Sequence, residues 1–315
     1  MVALAIGACG GGDDGGGTTM TTAPPAPIHP TTVPTKMGFL YVWGSSDKDV
    51  WAVGDSGTAM HFDGQAWSVI PTGVQETLTC VHGVAPDDVW VSGANGDVLH
   101  WNGKAWSIDT QLAGTTLLGV WEFSPTNVWV SGVDEGGGLG SGSLFANWTG
   151  KTWTFLDINN ALTLWKLWGS GPTDLWMVGT DANGNGAVFR GNGKIFDPVP
   201  FKGATVHSIW GSGPDDVWVG PSSGAMQHWT GSSWTSVPEL TSMQALSGIS
   251  GSGRDDVWAV GQNGVIGHYG SNGVWTLSPS GTKATLFGVW SNKPDEAWLV
   301  GGTGTVLRWT GTSWL

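Results

Sequence analysis

The histidines are the first candidates for chemistry, because imidazole can bind a metal ion or act as a general base near neutral pH. Four of the seven recur directly before an aromatic residue: His61, His100, His228 and His268. The corresponding places elsewhere in the chain hold Asn147, Arg190 and Arg308. Side chains that recur once per repeat cannot converge on a shared ion, whose ligands must all lie about 2 Å from it. We therefore interpret this column as a polar structural position.

Two loops that interrupt a repeated pattern are the second candidates. They span residues 133–142 and 180–186, and both are longer and richer in Gly than their counterparts. The side chains that we single out as candidate ligand-binding groups are Asp134, Glu135, Asp181, Asn183 and Asn185. Loops on a rigid scaffold carry binding sites more often than the scaffold itself. We expect the two loops to lie on the same face of the fold, in neighbouring repeats.

The second loop has the spacing of the start of a calcium-binding loop, in which Asp or Asn oxygens alternate before a glycine. Asp181, Asn183 and Asn185 precede Gly186 in this way. The twelfth position holds Asn192, where an EF-hand has a bidentate Glu. Two interpretations stay open: a Ca²⁺ site, completed by acidic groups of the first loop, and an ordinary Gly/Asn turn.

The two cysteines lie in different surroundings. Cys9 ends the sequence Ile6-Gly7-Ala8-Cys9, which resembles the lipobox of bacterial lipoproteins and implies a partial signal segment over residues 1–9 with lipid on Cys9. Residues 10–35 are rich in Gly, Thr and Pro, so we predict a flexible tether. The alternative is a glycine-rich N-terminus with an incidental Cys, since the apolar segment is short for a secretory signal. Cys80 lies among Val and Leu, and we expect it to be buried.

A repeat positions these candidates. A tripeptide of an acidic or amide residue, an aliphatic residue and Trp occurs seven times and ends at Trp51, Trp90, Trp129, Trp176, Trp218, Trp258 and Trp298. The successive spacings are 39, 39, 47, 42, 40 and 40 residues. A period of this size, with β-forming residues in each unit, is typical of propeller blades.

Each repeat divides into four short strands separated by turn signals. In the second repeat, Asn95-Gly96 and Asn102-Gly103 favour two-residue hairpins, because both residue types tolerate positive φ. The predicted fold class is therefore all-β: a seven-bladed propeller over residues 36–315, with four antiparallel strands per blade. The repeats fall near residues 38–77, 78–117, 118–163, 164–205, 206–245, 246–285 and 286–315.

The last repeat lacks a complete fourth strand, since it stops at Leu315. The sequence Thr32-Val33-Pro34-Thr35 is similar to Val69-Ile70-Pro71-Thr72, which ends the fourth strand of the first repeat. We therefore predict that residues 31–33 complete or flank the outer edge of blade 7.

The 23 Trp residues allow two interpretations. Aromatic rings could stack on sugars, as in a lectin, or fill the wedge that opens between blades with increasing radius. We favour packing for the seven Trp that end the tripeptides, because large aromatic side chains bury much area in a core.

The whole of residues 38–315 resembles known propeller families. The pattern Asp49-Val50-Trp51-Ala52-Val53-Gly54, followed by Asp63-Gly64 and Trp67, is similar to photosystem II assembly-factor propellers and to bacterial-neuraminidase-type repeats. It is also similar to tectonin repeats, which implies binding of sugars or lipopolysaccharide. These resemblances predict the fold but leave the function open, since propellers host unrelated activities.

The resemblance to neuraminidase-type repeats raises the possibility of a glycoside hydrolase of the sialidase type. That chemistry would require three convergent Arg and a Tyr nucleophile. Arg190 and Arg308 occupy the same position in distant repeats, whereas Arg254 falls in a turn. Both tyrosines, Tyr41 and Tyr269, fall within predicted strands. We therefore expect no enzymatic activity.

Charge narrows the class of partner. The net charge is −13, which repels nucleic acid and anionic membranes, so we expect contact with a membrane only through the lipid anchor. We predict a monomeric, extracytoplasmic bacterial lipoprotein, at the outer membrane or cell surface, that binds a protein partner as an interaction or assembly scaffold. The alternative is a tectonin-like, carbohydrate-binding lectin. We expect no cofactor apart from the Ca²⁺ left open above.

Overall fold

The computed structural model describes residues 31–136, 142–240, 243, 246–294 and 296–315. This part of the chain forms 27 β-strands in seven antiparallel sheets, with five short 3-10 turns and no α-helix. Cys9, the tether up to residue 30 and residues 137–141 of the first candidate loop lie outside the described residues. Within the described ranges, no helix is long and apolar enough to cross a membrane.

The seven sheets, numbered as blades 1 to 7, follow one another along the chain. Blades 1 to 3 contain β1 Phe39–Ser46, β2 Asp49–Gly54, β3 Ala59–Phe62, β4 Trp67–Val69; β5 Leu78–Ala85, β6 Asp88–Gly93, β7 Asp97–Trp101, β8 Trp106–Gln111; β9 Thr115–Ser124, β10 Asn127–Asp134, β11 Ser143–Trp148 and β12 Trp153–Phe155. Blades 4 and 5 contain β13 Ala161–Gly171, β14 Asp174–Asp181, β15 Gly186–Gly191, β16 Phe196–Pro198; β17 Val206–Gly213, β18 Asp216–Pro221, β19 Met226–Trp229 and β20 Trp234–Val237. Blades 6 and 7 contain β21 Leu246–Gly253, β22 Asp256–Gly261, β23 Val265–Tyr269, β24 Trp275–Pro279; β25 Leu286–Lys293, β26 Glu296–Gly301 and β27 Thr305–Trp309. The 3-10 turns are Asp55–Gly57, Ala94–Gly96, Pro238–Leu240, Gln262–Gly264 and Gly302–Gly304.

The blades form a closed ring. Within each blade the strands lie side by side in chain order. The first strands contact one another in sequence, from β1 and β5 onwards to β25, which contacts β1. The first strands therefore surround a central channel, and the fourth strands form the outer rim. This arrangement confirms the seven-bladed propeller that the period of the sequence predicts.

The two faces of the ring carry different connections. On one face, the hairpins between second and third strands meet the connections that lead into each blade. Glu135 N, for example, donates to Gly114 O at 2.9 Å, and Ala182 N donates to Asn160 O at 3.1 Å. We call this the loop face, and we call the opposite one the turn face. Both candidate loops join a second to a third strand, so their described residues lie on the loop face in neighbouring blades.

The hydrophobic core lies between the blades. Seven clusters of buried side chains each combine residues of two consecutive blades, and one of them joins blade 7 to blade 1. The tripeptide Trp residues contribute one side chain to each cluster and are 0% to 3% exposed. Each stands edge-on to an aromatic residue at the outer edge of the next blade, which lies in the fourth strand of blades 1 to 6 and is Trp314 in blade 7. The wedges between blades are therefore filled by Trp51, Trp90, Trp129, Trp176, Trp218, Trp258 and Trp298.

The inner strands of neighbouring blades meet through contacts of Trp with Gly. Trp168 of β13 covers Gly211 of β17, where an added Cβ would lie 2.7 Å from the indole. Three other seams share this contact. The seam between blades 2 and 3 lacks both residues, and there Glu122 N donates to His82 Nδ1 at 3.1 Å. In the seam between blades 2 and 3, the residue that replaces Trp and the residue that replaces Gly therefore contact each other.

Blade 7 closes on blade 1 with a short outer edge. Leu315 exchanges two backbone hydrogen bonds with Arg308, of 3.0 and 2.8 Å. Thr31 Oγ1 donates to Leu315 O at 3.1 Å, and Val33 packs against the core cluster shared by blades 7 and 1. Residues 31–38 form no strand. Of the two predicted alternatives, the segment therefore flanks the edge of blade 7 and does not complete it.

Charged side chains join the same two blades on the turn face. Lys293 Nζ lies 2.8 Å from both Asp47 Oδ2 and Glu296 Oε2. Arg308 Nε donates to Glu296 Oε1 at 2.8 Å. The hydrogen bond from Lys293 is the main reason that the pKa of Asp47 lies below its usual value. This network spans the point where the first and last blades meet.

Candidate functional site

The recurring polar column forms one structural unit per blade. In blade 5, His228 Nε2 lies 2.6 Å from Asp216 Oδ1, and the imidazole stacks on Trp218 with ring centroids 3.7 Å apart. Burial would raise the pKa of Asp216, but hydrogen bonds from His228 and Ser212 hold that pKa below its usual value. Blades 1, 2 and 6 repeat the acid–His–Trp arrangement, blades 4 and 7 use Arg, and blade 3 uses two Asn. Each side chain is thus used within its own blade, as the sequence predicts.

The geometry of this unit differs from that of a hydrolase triad. In a triad, the His lies between the nucleophile and the acid. Here Asp216 lies between the other two groups, accepting from Ser212 Oγ at 2.5 Å and from His228 at 2.6 Å. The Ser212 hydroxyl therefore faces a carboxylate, not the imidazole that a triad places beside its nucleophile. In the part of the chain that the structure describes, no group of three or more His, Cys, Asp or Glu is placed to hold a metal ion.

The three arginines are separated in the ring. Arg190 Nε pairs with Asp174 Oδ1 at 2.6 Å in blade 4, and Arg308 pairs with Glu296 in blade 7. Arg254 lies on the turn face, where it pairs with an exposed Asp of blade 5. These positions do not form the convergent cluster that sialidase-type chemistry requires.

The first candidate loop begins inside a strand. Strand β10 extends to Asp134, which is 7% exposed, so this residue belongs to the sheet rather than to the loop. Asp134 Oδ1 accepts from Gly136 N at 3.1 Å. Glu135 is exposed on the loop face, where its Oε1 accepts from Thr116 Oγ1 at 2.9 Å. Of these two acids, Glu135 is the one that a partner can reach.

The second candidate loop is organised by Asp181. Its Oδ1 accepts from Asn183 N and Asn185 N, both at 2.8 Å, and its Oδ2 accepts from Asn185 Nδ2 at 3.4 Å. The bond from Asn185 N contributes most to the lowered pKa of Asp181. These bonds are those of an ordinary Gly/Asn turn, and Ca²⁺ binding at this loop is the alternative that only a binding experiment tests. The side chains of Asn183 and Asn185 are exposed.

The mouth of the central channel on the loop face is lined by one residue from each blade. Every first strand contains a β-bulge near its start, and a bulge re-aims the extra side chain. The extra residues are half-buried, and none belongs to an interblade core cluster. They are Leu40, Thr79, Leu118, Trp165, His207, Ser247 and Phe287. This position, unlike the Trp and acid columns, changes its chemistry from blade to blade.

Lys166 crosses the channel below this mouth. Its Nζ donates to Leu118 O at 2.6 Å and to Thr79 O at 3.2 Å, and it lies 4.6 Å from the ring centre of Tyr41. Burial lowers the pKa of Lys166, and burial followed by the charge of Lys166 lowers that of His207. One side chain of blade 4 thus connects three other blades and forms the floor of the mouth.

Glu122 is a second buried titratable group that sequence reasoning missed. It is 2% exposed and lies beside His82 and Asp88. Burial, and then the Asp88 carboxylate, raise the pKa of Glu122 to about 9, while burial lowers the pKa of His82 to about 3. Both side chains are therefore neutral at pH 7. A signal was present in the sequence, because Glu122 stands where Gly follows the first-strand Trp in other repeats.

Charge on the loop face is one-sided over blades 2 to 4. The loop-face segments between residues 71 and 186 contain no Lys or Arg. Their acidic residues are Glu76, Asp97, Asp134, Glu135, Asp157 and Asp181. Of these, Glu76, Glu135 and Asp157 are exposed. We call this region the acidic sector.

Comparisons with known proteins identify the fold. No family model matches the sequence, and no curated protein matches it. The structure is similar to YCF48 from Cyanidioschyzon merolae, at 14% identity and a TM-score of 0.68, covering 89% of this chain and 98% of the other. It is also similar to YCF48 bound to D1 peptide, at 17% identity and a TM-score of 0.69, covering 91% and 99%. The WD40 β-propeller domain of Doa1 matches at 11% identity and a TM-score of 0.69, covering 88% and 93%. Similarity at these identities shows a shared fold alone.

Proposed function

We propose that this chain is a non-enzymatic interaction scaffold that binds a protein partner on its loop face. The observation that carries this proposal is where the departures from the repeat occur. Both long loops and the exposed acids of the acidic sector lie on the loop face of blades 2 to 4. The acid–His–Trp units, by contrast, repeat around the ring with structural roles. A propeller of similar fold has been solved with a bound peptide, which supports this type of partner.

The same proposal includes display outside the cytoplasm through lipid on Cys9. The sequence Ile6-Gly7-Ala8-Cys9 supports it, as does the composition of residues 10–30. The first described residue, Thr31, contacts Leu315 at the outer edge of blade 7. Labelling cells with a fatty-acid analogue should mark the protein, and Cys9→Ala should abolish the label. An unlabelled wild-type protein would refute the anchor.

A lectin function receives less support from the surface. Repeated glycan sites would need exposed aromatic rings in several blades. All 23 Trp lie in the described residues, and each of them is buried or half-buried. The exposed aromatic side chain is Phe155, at 44%. A glycan array probed with residues 30–315 should therefore be blank, and reproducible binding to one glycan class would favour the tectonin-like alternative.

Photo-cross-linking tests the protein-binding proposal and its location together. The photoreactive residue p-benzoylphenylalanine would replace Asn183 on the loop face or, as a matched control, Lys194 on the turn face of the same blade. Both positions are exposed hairpin residues. We expect a discrete adduct of higher mass in cells from position 183 and none from position 194. Equal adducts at both positions, or none at either, would contradict the proposal.

A further inference from the structure

The centre of the loop face presents apolar side chains that are partly exposed. Leu118 and Trp165 lie at the channel mouth in blades 3 and 4, half-buried and outside the interblade clusters. Leu162, next to the first candidate loop, is 45% exposed. Leu40 and Phe287 occupy the corresponding positions across the mouth. Apolar side chains grouped in this way on a monomer surface mark an interaction site more often than isolated ones do.

Lys166 limits how deep a ligand can enter. Its Nζ bonds to carbonyls in blades 2 and 3 and lies over Tyr41 of blade 1, so this side chain extends across the channel directly below the mouth. A partner that inserts side chains or the tip of a loop would therefore meet Lys166 there. Two of the three donors of Lys166 already have acceptors, the carbonyls of Thr79 and Leu118.

The acidic sector defines the charge of the partner. Its exposed acids, Glu76, Glu135 and Asp157, flank the apolar mouth on the side of blades 2 to 4. The same loop-face segments contain no Lys or Arg. Complementary charge speeds association and excludes partners of like charge, with a smaller effect on affinity.

We infer that the partner segment combines aliphatic or aromatic side chains, which enter the channel mouth, with flanking Lys or Arg side chains, which face the acidic sector. This inference rests on the proposed function and specifies its partner. The contact divides into two parts: the apolar residues contribute affinity, and the basic residues select the orientation over blades 2 to 4.

Selection from a phage-displayed library of random twelve-residue peptides tests this inference on the immobilised full chain. Selected peptides are then measured against three variants. The mouth variant is Leu118→Ser with Leu162→Ser, and the charge variant is Glu135→Gln with Asp157→Asn. The matched control is Ile108→Ser, which removes an apolar side chain that is 53% exposed on the outer rim of blade 2. Each variant must keep the wild-type melting temperature.

We expect selected peptides to share an apolar centre flanked by Lys or Arg. Their affinity should fall about tenfold or more in the mouth variant and by a few-fold in the charge variant, with a smaller effect of charge at high salt. The control should bind like the wild type. Peptides that bind all variants equally would overturn the inference while leaving the scaffold proposal intact, because they would place protein binding elsewhere. Acidic peptides, or no selected peptide, would also overturn it, and cross-linking at position 183 would still decide the scaffold proposal separately.

Discussion

Replacing Glu122 with Gln should change how the stability of the protein depends on pH. The fold raises the pKa of this carboxyl to about 9, whereas an unfolded chain has a Glu pKa of about 4.3. Between these values the folded protein binds one more proton than the unfolded chain. The contribution of Glu122 to the free energy of unfolding is therefore fully present below the pKa of the unfolded chain. It is lost as the pH rises towards the folded pKa, by about 1.4 kcal/mol per pH unit. Gln cannot titrate, so the variant should lack this slope.

The comparison is best made between pH 7.0 and 8.5. Burial holds the pKa of His82 at about 3 in the folded protein. His82 therefore lowers the stability of the protein only as the pH falls below the pKa of an unfolded His, about 6.5, and it contributes little between about pH 7.0 and 8.5. Over these 1.5 units, the wild type should lose about 2 kcal/mol relative to Glu122→Gln. Urea unfolding followed by Trp fluorescence gives the free energies, with the exposed Glu239→Gln as control. Parallel pH profiles for the wild type and Glu122→Gln would show that Glu122 is ionised in the fold and would refute the reasoning.

Three further results are expected. Trp218→Ala should lower the free energy of unfolding by about 3–5 kcal/mol, because Trp218 is 3% exposed between blades 5 and 6, whereas Phe155→Ala should change it by about 0.5 kcal/mol at most; similar losses in denaturant unfolding would be inconsistent with the core assignment. Asp47→Asn should lower the melting temperature at low salt and less so in about 0.5 M NaCl, because it weakens the ion pair with Lys293; an equal shift in both buffers would argue against that network. Millimolar Ca²⁺ should leave the melting temperature unchanged, because Asp181 already accepts hydrogen bonds from its own loop; a rise that Asp181→Asn abolishes would establish a calcium site.

Repeat positions could be predicted from the sequence because one physical cause acts in every blade. A Trp is needed wherever two blades diverge, and the sequence shows it seven times. Hairpin positions such as Gly103, with φ of 83°, require a residue that tolerates positive φ. Seven copies of each signal reveal the period even where single copies deviate. The location of both candidate loops on one face follows from the same repetition.

Positions that differ between blades depend on contacts that no local pattern reveals. Lys166 donates to the carbonyls of Thr79 and Leu118, which are 87 and 48 residues away. Trp165 lies outside the repeated Trp positions because it occupies a bulge, and a bulge cannot be located from side-chain periodicity alone. The sequence predicts Asp134 to be a loop residue, because the extension of strand β10 to this residue depends on pairing with β9 and β11, which the local sequence does not show. These exceptions concentrate at the channel mouth and in the loops, where we place the binding site.

Removal of the blade 4 loop tests the central claim most directly. Residues 180–186 would be replaced by Gln262-Asn263-Gly264, the turn that joins the equivalent strands of blade 6, and the partner captured by cross-linking would be titrated against the wild type and the variant. We expect the variant to keep its melting temperature and to lose at least about 90% of partner binding. Undiminished binding by a folded variant would contradict a site on the loop face of blades 3 and 4.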